Sequence, residues 1–363
     1  MTFVLRTVEP HAAWRASGWA AALGVVAFAV GLAAGRGAVA FAALTASWLF
    51  FAGLAAGSLA LLAAVRIAEG QWARPVLPIA EACAAFLGPS LALQAVLVAG
   101  ACFLLPAHLD TGLGHLTFRV LRQIVPTIAL CVLGQRLAAA SAQDTARSES
   151  LTLAVGYVAT YVVALSLWAS DWVLSLSSAP PAAVVPAYYF MGAFLSGLAW
   201  TALVAALRDV SGADLRHDLG KLLFAFVVVW AYLLWALFLA AWYGHVPAEV
   251  EPLLRRWSSG YRPATIAVIA SVFVWPFWLL FSERTKRLRG TLALGAALTL
   301  LGMWAERFLL VLPSLDLDAD PVALLVGAGV ALGVAGLFLH RVGPQLTTLD
   351  ARPVHLMQGE LMP

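Results

Sequence analysis

Three carboxylates stand inside long apolar runs of this sequence: Glu81 in PVLPIAEACAAF, Asp171 in SLWASDWVLSLSS, and Glu306 in GMWAERFLLVLP with Arg307 beside it. A fourth group, His217, Asp218 and Lys221, opens another run in RHDLGKLLF. An ionisable side chain at the middle of a bilayer costs at least about 2.5–3.5 kcal/mol, so such groups face a partner or water, and the chemistry open to them is proton transfer. Glu81 has no Lys or Arg three or four positions away, so either another helix supplies a cation or the carboxyl itself takes and releases a proton. Glu306 and Arg307, being adjacent, point about 100° apart on a helix and are expected to find different partners. A plain interhelical salt bridge and a proton relay both stay open for them. Asp218 is expected to cap a helix by accepting from free backbone N–H groups. Trp172 reads either as an anchor at the membrane interface or as a ligand contact.

The elements that must position these groups are membrane spans. Of the 363 residues 62% are hydrophobic and 11% charged, with mean hydropathy +0.90, whereas soluble domains are roughly 25% charged. A hydrocarbon core about 30 Å thick needs about 20 apolar residues per helix. Ten stretches qualify: 17–34, 39–65, 77–105, 118–139, 151–170, 184–207, 219–243, 263–281, 290–312 and 321–340. The fold class is therefore an all-α integral membrane protein. An N-terminal arm (1–16) and a C-terminal tail (341–363) flank a transmembrane domain (17–340).

Cytoplasmic loops are enriched in Lys and Arg. With the N-terminus inside, fifteen of the 22 basic residues fall on the inner side, six on the outer, and Arg307 lies within a helix. The loop SERTKRLRG votes most strongly for this orientation and RRWSSGYR dissents. Both termini are expected in the cytoplasm, and the net charge of +3 reads as topology bias rather than a nucleic-acid surface. The start, MTFVLRTVEPHAAWR, lacks the small-residue cleavage site of a secretory signal and is expected to remain as a cytoplasmic arm.

Cys83, Cys102 and Cys131 lie in apolar spans without any C-x-x-C or C-x-x-C-H, so they read as buried filler, not as cluster or covalent haem ligands. His11, His108, His115, His217, His245 and His355 fall in arms and loops, and His340 ends the last run, which leaves no facing pair for a membrane haem. No metal is expected, and any electron must be carried by a partner.

FFAGLAAGSLALL (50–62) and YFMGAFLSGLAWTAL (189–203) share an aromatic entry, paired glycines and a small-residue face. They lie four spans apart, an even number, so a repeat would be parallel, giving two four-helix bundles, spans two to five and six to nine, flanked by spans one and ten. Small residues that simply let two helices pack closely would leave the same pattern.

With these residues in view, the chain resembles a known family. SAQDTARSES, SLWASDWVLSL, YYFMGAFLSGLA, RHDLGKLLFAFVVVWAYLLWALFLAAWYGHVPAEV and WPFWLLFSERTKR look like the second quinone-binding-type membrane subunit of bacterial alternative complex III, the ActF type of the NrfD-like, or polysulfide-reductase-like, superfamily. The likeness covers roughly residues 45–315. It implies ten helices in two four-helix bundles with two flanking helices. It also implies a quinol:electron-acceptor oxidoreductase of the bacterial inner membrane, with partners that include a sister NrfD-like subunit, an iron–sulfur subunit and a multihaem cytochrome c subunit. Carried across, the family's helix-five acid falls on Asp171, its helix-three acid on Glu81 with Trp72 before it, and its helix-nine acid on Glu306.

Departures are equally specific. AAVRIAEGQW lacks the usual histidine, Leu77 and Pro78 replace a usual arginine pair, SSAPPAAV replaces an Asp-Pro-His-Trp segment, and His245 replaces an asparagine. A quinol needs a proton acceptor and hydrogen-bonding groups at its hydroxyls. The resemblance so read implies a haem-free subunit with a structural and proton-path role through Glu81, Asp171, His217, Asp218, Lys221, Glu306 and Arg307. Asp171 and Trp172 would be the remnant of a quinone site, and the sister subunit would bind quinol. The chain itself binds no haem or cluster on this reading, though a quinone remains possible. A secondary transporter with a midplane substrate site is the alternative.

Overall fold

In a lipid core each backbone N–H and C=O must be satisfied within its own segment, which selects helices for apolar runs of this length. The computed structural model describes residues 10–101, 112–143, 147–176, 183–208, 212–244, 247–257, 260–315 and 320–350. Cys102, His108, His245, His355 and the outer parts of both terminal arms lie outside them. Ten helices among the described residues are long and apolar enough to cross a membrane, and no strand is present among them.

The first two spans are α1 (Pro10–Ala33) and α2 (Gly37–Ile67). The third is broken into 3-10 turns at Gln71–Val76 and Cys83–Phe86 around α3 (Leu77–Ala82), and continues as α4 (Leu87–Ala99). Spans four to seven are α5 (Gly112–Ala142), α6 (Arg147–Trp172), α7 (Val184–Leu207) and α8 (Ala213–Gly244). A short amphipathic helix, α9 (Pro247–Trp257), precedes the eighth span. That span joins α10 (Arg262–Ile269) to α11 (Trp275–Leu279) through a π-helical turn at Ala270–Val274. Pro276 explains the wide turn, because its ring would clash with the carbonyl four residues earlier and it has no N–H to donate there. After α12 (Glu283–Arg287), α13 (Arg289–Val311) and α14 (Pro321–Asp350) complete the set.

The last helix runs on through His340 rather than ending there, carrying Pro344 within it. The apolar stretch gives out at about that point while the helix does not, since a helix can leave the bilayer without stopping.

α2, α3/α4, α5 and α6 pack as one four-helix bundle, and α7, α8, α10/α11 and α13 as a second. Their shared wall is α2 against α7. Leu49 meets Tyr189, Gly53 meets Ala193 and Ser58 meets Gly197, so the two helices run in the same direction with a nearly constant offset. These are the two glycine-rich stretches of the sequence, and their small faces touch each other. α1 and α14 pack along one another beside α2, crossing where Gly24 lies against Gly333.

The alternation of spans places Asp171 and Glu306 at one end of the molecule, with Glu81 and the His217 group at the other.

Candidate functional site

At the last turn of α6, Asp171 is fully engaged. Arg122 of α5 donates to it through Nε at 3.1 Å and through Nη2, and Gln123 donates through Nε2. Gln123 Oε1 in turn accepts from Trp172 Nε1 at 3.1 Å and from Gln94 Nε2 at 3.1 Å. Trp168 donates to Thr127 Oγ1 at 2.9 Å and packs at a tilt, 4.6 Å between ring centroids, against Trp48, whose indole donates to the Ser90 carbonyl at 2.9 Å. Four helices, α2, α4, α5 and α6, are thereby tied together. Trp172 is 3% exposed and donates inward, which corrects its reading as an interface anchor. The reason is register: at the end of α6 its ring turns toward α5, where Gln123 offers an acceptor.

At the opposite end Glu81 meets Ser141 of α5, whose hydroxyl donates to Oε1 at 2.6 Å. Arg66, from the last turn of α2, donates to the same hydroxyl at 2.7 Å and to the Ser141 carbonyl at 3.1 Å. Another helix therefore does bring a cation toward Glu81, with a serine hydroxyl between them.

Glu306 and Arg307 are buried, at 3% and 1% exposure. Arg307 Nη1 comes to 3.1 Å from Glu306 Oε2. The expectation that adjacent positions keep the two apart is corrected here, because the arginine side chain is long enough to fold back across the intervening angle. The approach is not a hydrogen bond, however. Neither carboxylate oxygen of Glu306, nor Nε or Nη1 of Arg307, has a hydrogen-bond partner among the described residues. The guanidinium instead lies over the Tyr189 ring, 4.5 Å from its centroid, in a cation–π contact. Gly192 makes room for it, since a Cβ there would come within 2.9 Å of Arg307 Nη2.

Glu306 lines a cavity of about 580 Å³ in the second bundle, together with Tyr188, Trp230, Trp235, Leu254 and Arg256. α9 forms part of its wall. It is held by Thr265, which donates to the Arg256 carbonyl at 2.7 Å, and by Arg255, which reaches the Pro313 carbonyl at 3.4 Å. Burial pushes the Arg256 guanidinium below its ordinary pKa, while Tyr188 and Glu306 act in opposition.

His217, Asp218 and Lys221 lie in the second and third turns of α8, which starts at Ala213. Asp218 is thus not a cap: the helix begins five residues earlier, its local N–H groups are already inside the ladder, and the carboxylate pairs with Lys221 Nζ at 2.7 Å. His217 Nδ1 has no hydrogen-bond partner among the described residues. Lys286 lies over Phe224 at 4.9 Å. Burial, chiefly, and then the neighbouring Lys221 charge push its pKa down, with Glu283 opposing.

Four clusters result, two at each end. The polar groups that complete them, Arg122, Gln123, Gln94, Arg66, Ser141, Trp230 and Arg256, were not singled out from the sequence. FRVLRQ in the fourth span carried a signal, since Arg122 and Gln123 lie side by side next to the long apolar run that follows them. Glu306 thus joins a buried carboxylate, its oxygens closed off and set against Arg307, to the edge of a neighbouring cavity. Compared with known proteins, the chain matches no family model and no curated sequence.

Proposed function

We propose that this chain is a haem-free membrane subunit of a respiratory quinol:electron-acceptor oxidoreductase of the alternative complex III type. It would sit in the bacterial inner membrane with both termini in the cytoplasm and act beside a quinol-binding sister subunit. Its role would be structural and proton-conducting, with electrons carried by iron–sulfur and multihaem cytochrome c partners. The observation that carries this reading is Glu306, a buried carboxylate without a hydrogen-bond donor, set at the opposite end of the molecule from the Glu81–Ser141–Arg66 group. Acids at both ends are what a path across the bilayer requires. Asp171, fixed by Arg122 and Gln123, supports the structural half of the role: a carboxylate already holding a cation and an amide has little capacity left for a quinol hydroxyl.

A secondary transporter is the second reading, favoured by the interrupted third and eighth spans, since broken helices often line substrate sites. In a parallel repeat, however, the third span corresponds to the seventh, which is the continuous helix α8.

The test is a mild-detergent pull-down of the tagged chain from its native membrane, with mass spectrometry and a reduced-minus-oxidised haem spectrum. Co-purified multihaem c-type and iron–sulfur proteins are expected. A chain that elutes alone, without haem, and moves a solute in vesicles would overturn the assignment in favour of transport.

A further inference from the structure

Lys221 and Lys286 are the only lysines of the chain, and the fold sets them beside each other. The stem of Lys286, from α12, lies across Gly220 of α8, where a Cβ would come within 3.0 Å of its Cγ. Its ammonium rests 4.9 Å from the centre of the ring of Phe224, which stands one turn further into the apolar part of α8. Phe277 and Phe281 back that ring, with centroids at 5.1 and 6.4 Å. A lysine at a membrane boundary ordinarily turns its charge out to water. This one turns along α8 instead, toward a second positive charge.

No carboxylate among the described residues pairs with it. Arg287 holds Asp214 at 2.6 Å and Glu283 at 3.1 Å, while Asp218 is taken up by Lys221 at 2.7 Å. Burial and the Lys221 charge lower the Lys286 pKa, with Glu283 opposing, so the ammonium is held where an anion would relieve it. The eighth span ends at Leu279, which puts the pair at the boundary of the apolar layer, where lipid phosphates lie.

We propose that Lys286 and Lys221 clamp the phosphate of an anionic glycerophospholipid from the leaflet at this end of the molecule, its acyl chains lying along Phe281 and Trp278.

Charge and shape set that chemistry. With Asp218 counted, the two lysines carry one net positive charge, which one phosphodiester cancels. A lysine is a compact point charge with three rotatable donors and can meet a phosphate oxygen from several directions. A headgroup that bears its own ammonium would bring a further cation to the pair. A soluble anion gains nothing from Phe281 and Trp278, 62% and 64% exposed, whereas acyl chains cover them. The site does not depend on the chain belonging to a respiratory complex, nor on the His217 group conducting protons.

The whole chain, purified in mild detergent, is titrated with dioleoyl phosphatidylglycerol or dioleoyl phosphatidylcholine, and bound lipid is counted by native mass spectrometry. The phosphatidylglycerol is expected to bind at least about fivefold more tightly, the effect of one basic side chain at an anionic lipid surface. Lys286→Gln is expected to erase most of that preference and Lys286→Arg to keep it. Arg74→Gln, at an exposed cation of the same end in the other bundle, is expected to leave it unchanged. A second measurement needs no variant. N-hydroxysuccinimidyl acetate acylates lysine amines, so peptide mapping of Lys221 and Lys286 reads the site directly. Acetylation of both is expected to slow several-fold in phosphatidylglycerol, but not in phosphatidylcholine or in inorganic phosphate. Equal binding of the two lipids, a preference that survives Lys286→Gln or falls equally with Arg74→Gln, or equal acetylation in both lipids overturns the proposal. Protection by inorganic phosphate as strong as that by the lipid assigns a soluble anion and overturns it as well.

Discussion

Gly197 of α7 is packed so closely on Gly57 of α2 that a Cβ at position 197 would overlap the backbone of Gly57 and Ser58. Nothing flexible lies there to move aside. Gly197→Leu is therefore expected to force the two bundles apart, costing more than the roughly 1–3 kcal/mol of ordinary overpacking. Gly156→Ala, where a Cβ meets no atom within 4 Å, serves as the control and is expected to be neutral or slightly stabilising. Thermal unfolding in detergent, read by size-exclusion recovery, distinguishes them; equal recovery of the two variants would contradict the close contact.

The Asp171 network predicts non-additive substitutions. Asp171→Asn and Arg122→Gln each strand one charge, at about 2–5 kcal/mol, with the lower end expected because the Arg122 side chain is 32% exposed. The double variant is expected to be more stable than either single one, as neither charge is then left over. Simple addition of the two losses in a double-mutant cycle would remove the ion pair from the account.

Ser141→Ala takes away the hydroxyl that accepts from Arg66 and donates to Glu81. Loss of about 1–3 kcal/mol is expected, while Ser141→Thr, which keeps the hydroxyl, recovers most of it. If alanine and threonine behave alike in the same unfolding assay, the serine is a bystander.

For proton conduction, the informative variants are Glu306→Gln and Glu81→Gln in reconstituted complexes. Each preserves volume and removes the titrating proton. A fall in the proton-to-electron ratio with electron transfer retained is expected. Ratios unchanged in both would eliminate the relay and leave a structural role.

Asp320 caps α14 by accepting from the Ala323 N–H at 2.6 Å and also pairs with Arg36, at the turn between α1 and α2. Asp320→Ala removes both contacts and is expected to cost about 0.5–2 kcal/mol for the cap alone. Arg36→Gln, losing only the pair, is expected to cost less. The order of the two melting temperatures checks this.

The spans were legible because length and apolarity suffice to define them, and the glycines of α2 and α7 marked surfaces of close approach without saying that the two helices approach each other. Helix rotation was not. Runs such as FFAGLAAGSLALL are apolar on every side, so nothing in them says which face looks toward Trp168 or Phe338. Arg122 could be counted as a loop-side charge but not matched to Asp171, 49 positions away. Asp218 misled for a related reason: the apolar run starts later than the helix does, and only the backbone ladder reveals the extra turn. At Glu306 the angle between neighbours was right, and the reach of an arginine side chain undid its consequence.

The Gly24–Gly333 crossing has a bearing on how the molecule is made. α1 is made before α14, and the helix whose glycine matches its own follows about 290 residues after α1 ends. At translation rates of about 5–20 residues per second, α1 waits roughly 15–60 s for its partner. The seam between α1 and α14 therefore closes only after the eight spans between them have been made.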